Sequence, residues 1–185
     1  HADSTAQDKP STASNQGTAK EASGAVAPRC LVTDLAQGQV LELDFGGNIL
    51  WKDTSIRLPG ACAAWRDGRR WVVDHGQNVL VEFNERGQRV AELTGLPARP
   101  ASITAMSDGS AWIAFPDIGM VGQVDPQGKW RRVERTVGRP VDVVPYPTPS
   151  LTQTEKPSES ICVALWEGRQ AIVLGPQDSP SRTID

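Results

Sequence analysis

Apolar residues run along this chain in short bursts separated by polar turn formers. LVTDLAQGQVLELD (31–44), WVVDHGQNVLVEFN (71–84) and WIAFPDIGMVGQVD (112–125) are each two apolar runs parted by Gly, Asn, Gln or Asp. That pattern predicts pairs of strands joined by tight hairpins. A third strand is expected after each pair, at ILWK (49–52), RVAEL (89–93) and KWRRVE (129–134). A further short strand follows a loop proline, as in ASITAM (101–106).

Three independent markers keep one period. Asp-Gly-x-x-Trp-(Val/Ile) occurs at Asp67, Gly68, Trp71, Val72 and again at Asp108, Gly109, Trp112, Ile113, 41 residues on. An (Asp/Asn)-x-x-Gly turn recurs at Asp44–Gly47, Asn84–Gly87 and Asp125–Gly128, at intervals of 40 and 41. The loop proline falls at Pro59, Pro100 and Pro140, at intervals of 41 and 40. Four short antiparallel strands in about 40 residues is the length and content of a propeller blade. The expected fold is therefore all-β: a β-propeller-like array of about four blades of four antiparallel strands, closed as a small ring or left as a partial propeller. The propeller-like domain is placed at 29–185. The last unit is irregular, with VDVV after Pro140, a Pro/Ser/Thr-rich insertion at 145–160 unsuited to strands, then ICVALW (161–166) and QAIVLG (170–175).

The stretch LPARPASITAMSDGSAWIAFPDIGMVGQVDPQGKWRRVE (96–134) resembles one blade of the NHL-type propellers, and especially of their streptogramin B lyase-like branch. Blades of that branch run Pro-x-x-Ile, Asp-Gly-x-x-Trp and Asp-Pro-x-Gly. The unit from Pro59 to Leu93 follows the same template, with Asn84 in place of Asp. The resemblance covers residues 30–140 and implies a fold. Members usually have six or seven blades, and the catalytic histidines and glutamate of the lyase have no counterparts here.

The 185 residues carry 19 basic and 22 acidic side chains, a net charge of -3, without the basic footprint of a nucleic-acid binder. With 14 Pro and 17 Gly, an all-helical bundle is excluded. No apolar run approaches the roughly 18–20 residues of a bilayer-spanning helix. Residue 1 is His rather than Met, which reads as a processed start, and residues 1–28 contain no Leu, Ile, Phe or Trp. Such a segment buries too little apolar surface to offset its ordering entropy, so it is expected to be a flexible arm, or one ordered by a partner. Together these lead to the expectation of a chain outside the cytoplasm, periplasmic or extracellular. Cys30, Cys62 and Cys162 are too few for a disulfide scaffold and form no Cys-x-x-Cys pair. They fit buried small hydrophobes or one disulfide with a spare thiol.

The candidate sites divide by chemistry. Trp71 and Trp112 share one blade position followed by apolar residues, which suits packing between blades better than a stacking platform. Trp51, Trp65, Trp130 and Trp166 lack a common register. Tyr146 in the insertion, Trp130 and Trp166 are the candidate contact residues. Asp74 and His75 form the one acid–imidazole pair inside the repeats, a weak catalytic candidate because no nucleophile is fixed beside it. His1, through its free amine and ring, is a weak candidate copper ligand, with His75 as a further nitrogen. The recurring Asp turns lack the spacing of a calcium loop. No cofactor motif is present.

The resulting expectation is a non-enzymatic exported scaffold or accessory subunit. Its partners would be other protein subunits, of an extracytoplasmic or membrane-associated complex. The arm and the 145–160 insertion are the expected contact elements. The alternatives are a propeller enzyme of lyase or hydrolase type, or a small-molecule or carbohydrate binder using exposed Trp.

Overall fold

A computed structural model of the chain describes residues 28–147, 159–166, 170–175 and 182–184. Fifteen strands occur among them, in four antiparallel sheets laid down in chain order. The first sheet holds β1 (Arg29–Asp34), β2 (Gln39–Asp44) and β3 (Ile49–Asp53). The second holds β4 (Pro59–Ala64), β5 (Arg70–Asp74), β6 (Val79–Phe83) and β7 (Arg89–Leu93). The third holds β8 (Ser102–Ala105), β9 (Ala111–Phe115), β10 (Met120–Val124) and β11 (Trp130–Arg135). The fourth holds β12 (Pro140–Pro147), β13 (Glu159–Leu165), β14 (Ala171–Leu174) and β15 (Arg182–Ile184). These are four propeller blades, each a meander of neighbouring strands. No described helix is long and apolar enough to cross a membrane.

The repeated turn is built the same way three times. Gly47, Gly87 and Gly128 sit at φ of +83°, +74° and +79°, and their amides donate to the carbonyls of Asp44, Asn84 and Asp125. The same Asp or Asn uses its side-chain Oδ1 to accept from the amide four residues on: Asn48, Gln88 and Lys129. Glycine is required there because a Cβ makes the left-handed backbone costly. Each turn closes on a bulge, at Glu42/Leu43, Glu82/Phe83 and Gln123/Val124. The acidic residues of these turns are thus spent on backbone amides, as expected of turn formers.

Three buried apolar clusters join the blades in series. Val40 and Ile56 meet Val72, Val79, Val81 and Phe83 between the first and second blades. Trp71, Val73 and Leu80 meet Ile103, Ile113, Phe115 and Val124 between the second and third. Met106, Trp112, Ala114 and Val121 meet Val143, Ile161, Val163 and Leu165 between the third and fourth. The periodic tryptophans are fillers of these wedges, Trp71 at 2% and Trp112 at 3% exposure. Among the described residues, no such cluster joins the fourth blade back to the first, so they form an arc.

Two expectations are corrected. The first blade has three described strands rather than four, without an equivalent of β4, β8 and β12. The ends of the 145–160 insertion are strand, with Pro145 opposite Ile161, Tyr146 opposite Ser160 and Pro147 opposite Glu159. Prolines are tolerated there because β12 is an edge strand, and an edge leaves half of its backbone groups out of the ladder. β15 pairs with β14 and completes the fourth sheet. The rest of the insertion, 148–158, and the arm through residue 27 lie outside the described residues.

Candidate functional site

The same strand position can be followed from blade to blade, and it is buried or open according to whether a neighbour packs on it. Val72, Val81 and Phe83 of the second blade face the first and are fully buried. Their counterparts in the first blade, at intervals of 40, are Val32, Leu41 and Leu43, all partly exposed. Val32 pairs with Leu41 across β1 and β2, and Leu43 pairs with Ile49, which is 59% exposed. The first blade therefore ends in an aliphatic face with no blade on it among the described residues.

The far end has the reciprocal face. SICVAL (160–165) aligns with SAWIAF (110–115), and Ser110 and Ser160 are both buried. In this alignment Cys162 stands where the other blades place Trp71 and Trp112, and Ala164 where Ala114 lies buried. Here Cys162 is partly exposed and Ala164 exposed. Val144, opposite Cys162 on β12, is 45% exposed. Tyr146 lies two residues further on this same face, opposite Ser160, and is half-buried. Trp166, just past β13, is 71% exposed, and its amide donates to the Arg139 carbonyl at 2.9 Å. Tyr146 and Trp166 thus both belong to the fourth blade, at opposite ends of the β12–β13 pair.

Trp130 is placed elsewhere. It lies on β11 of the third blade and covers Gly122, where a Cβ would come within 2.5 Å of the indole. Its ring is tilted against Phe115 at 5.9 Å. An aromatic laid over a cross-strand glycine fills the space of the missing side chain, and Trp130 is still 36% exposed.

Asp74 and His75 begin the β5–β6 hairpin. Asp74 is buried, and its Oδ1 accepts from the amides of Gly76 at 2.8 Å and Gln77 at 3.3 Å, an Asx turn. The His75 amide donates to the Leu58 carbonyl at 2.9 Å, the same bond that Trp166 makes to Arg139 in the fourth blade. The imidazole lies on Gly60 of β4, where a Cβ would fall 2.2 Å from Nε2. Burial, then Arg99, holds the His75 pKa below its ordinary 6.5, against an opposing pull from Asp74. Because the unfolded chain then binds the proton more tightly, the His75 contribution to stability is constant above pH 6.5 and falls as pH drops from 6.5 through the folded pKa. In His75→Gln, melting temperatures measured at pH 7.5 and pH 5.5 should differ less than in the wild type. His1 lies outside the described residues.

The polar feature that periodicity does not reveal is a buried ion pair between blades. Arg70 of β5 donates from Nη2 to Glu42 Oε2 of β2, and from Nη1 to the Asn84 carbonyl at 3.0 Å. Its guanidinium lies over Trp51 at 4.8 Å, and Arg29 approaches Glu42 at 3.7 Å. The hint in the sequence is a break in the repeat, since the residue before the strand Trp is Arg70 in one unit and Ala111 in the next.

No protein-family model and no curated sequence matches the chain. Solved structures do. A streptogramin B lyase superposes with a TM-score of 0.66 at 14% identity, over 87% of this chain and 52% of its own. BBS1N, crystallised in complex with ARL6DN, gives 0.63 at 15% identity, over 80% and 47%. Hydrazine synthase of Kuenenia stuttgartiensis gives 0.61 at 15% identity, over 84% and 46%. The likeness is one of fold. It includes streptogramin B lyase-like propellers, as the blade motifs implied. The chain spans about half the length of these structures.

Proposed function

We propose that this chain is a non-enzymatic scaffold that binds other protein subunits through the two end faces of its blade arc, in an exported, extracytoplasmic or membrane-associated assembly. The observation that carries this reading is the reuse of one surface. Positions that bury the three internal junctions recur, still apolar, on the outer faces of the first and fourth blades. Apolar sheet faces are seldom left in water, and a partner presenting a blade-like sheet would bury them as the internal neighbours do. Tyr146 and Trp166 at the fourth blade supply the aromatic character common at the centre of protein interfaces. BBS1N, similar in fold, was crystallised with a protein partner, which is consistent with such a role.

Leu41→Glu and Ala164→Glu, made together, should abolish co-purification with the partner from the native source. The melting temperature should stay within a few degrees of wild type, because neither side chain is in an internal cluster. Undiminished co-purification would contradict the reading.

A lyase- or hydrolase-type activity is the second reading. It is favoured by His75, held neutral against the innermost strand of its blade. Loss of a detected activity in His75→Ala, with folding intact, would favour it.

A further inference from the structure

Two of the three cysteines flank the Leu31 carbonyl, beside the seam between the first and second blades. Cys30 is on β1 and Cys62 on β4, and these strands belong to different sheets. Both sulfurs approach one acceptor, the Leu31 carbonyl oxygen, Cys62 Sγ at 3.6 Å and Cys30 Sγ at 3.9 Å. Their separation is therefore bounded by the sum of two van der Waals-scale contacts. Bonding at about 2 Å requires rotation of the exposed Cys30 side chain and a shift of the edge strand that carries it. Cys162 is on β13 in the fourth blade, at the other end of the arc.

We infer that Cys30 and Cys62 are a modification site: under oxidising conditions they form a disulfide that staples the first blade to the second. Cys30 is exposed and Cys62 is mostly buried, so the reaction has an order. Burial, and then the neighbouring Cys30, push the Cys62 thiol up to about 11. Cys30 is thus the sulfur that meets a small disulfide such as oxidised glutathione. Its thiolate attacks one sulfur of that disulfide, breaking the bond and releasing one glutathione thiolate. Cys62 then attacks Cys30 in the mixed disulfide, losing its proton to the medium and releasing the second glutathione. Two protein thiols are oxidised and one glutathione disulfide is reduced to two thiols.

The staple has a structural consequence. The first blade is held to the second by one apolar cluster and the Arg70–Glu42 pair, and its other face is open. The closed loop from residue 30 to 62 contains β2 and β3 entire. Closing a loop of that length removes denatured-state entropy and should raise the melting temperature by on the order of 10 °C.

The test uses the intact chain, reduced and then equilibrated with oxidised and reduced glutathione. After unfolding and thiol titration, one free thiol should remain of three, and a non-reducing tryptic map should link fragment 30–52 to fragment 58–66. The oxidised form should melt higher than the reduced form. Cys162→Ser should keep that difference and Cys62→Ser should abolish it. Three titratable thiols after equilibration, Cys30 held only as its glutathione adduct, or a bridge to Cys162 would each overturn the proposal. The map is made on the wild-type chain, so it decides the matter even if a variant fails to fold.

Discussion

Glu42→Ala should destabilise the chain by about 3–5 kcal/mol, the usual cost of leaving half of a buried ion pair behind. Arg70 is buried, and without Glu42 its guanidinium keeps the Asn84 carbonyl and the Trp51 ring but loses its counter-charge. Arg29 cannot replace the carboxylate, since it is itself a cation drawn to Glu42. In a domain of this size the loss corresponds to a fall in melting temperature of roughly 6–20 °C. The pair variant Glu42→Met, Arg70→Met should recover most of the loss, because packed apolar groups avoid the desolvation cost altogether. A single-variant loss below about 1 kcal/mol, or a pair variant worse than the single, would show that the seam does not depend on this contact.

Trp112→Ala should cost a similar amount, about 3–5 kcal/mol, by a different mechanism. The indole is enclosed between the third and fourth blades, and Arg132 lies over its ring at 5.7 Å while also donating to the Gly175 carbonyl at 2.8 Å. Removing it leaves a cavity lined by Val143, Ile161 and Val163, on rigid strands that cannot collapse into it. The effect should be local in kind: amide hydrogen exchange in β13 and β14 should speed up more than in β5 and β6. Trp71→Ala should instead loosen the seam between the second and third blades. Uniform acceleration across all blades in both variants would contradict the serial packing.

The sequence carried the architecture because the architecture is periodic. RVAEL at 89–93 is β7 to the residue, and the turn at Asn84–Gly87 is the positive-φ, bulged connection its composition demands. Trp71 and Trp112 recur because each fills the same wedge. What periodicity cannot carry is whatever differs between blades. Arg70 and Glu42 are 28 residues apart in different units, and no counterpart pair repeats to mark them. The apposition of Cys30 and Cys62 depends on how two sheets lean together, not on either strand's own pattern. The strand character of PYP at 145–147 was hidden by its prolines, which are poor strand formers everywhere except on an edge. The end faces were illegible for another reason. Val32, Leu41 and Leu43 look like any other core positions, and only the absence of a described neighbour distinguishes them.

The central claim, that this arc ends in two open apolar faces ready to take further protein, can be tested by carbene footprinting of the purified chain. Heavy labelling of Leu41, Ile49, Val144 and Ala164, with Val72, Val81 and Ile113 at background, is the predicted result. Equal protection of both sets in the isolated chain would contradict it.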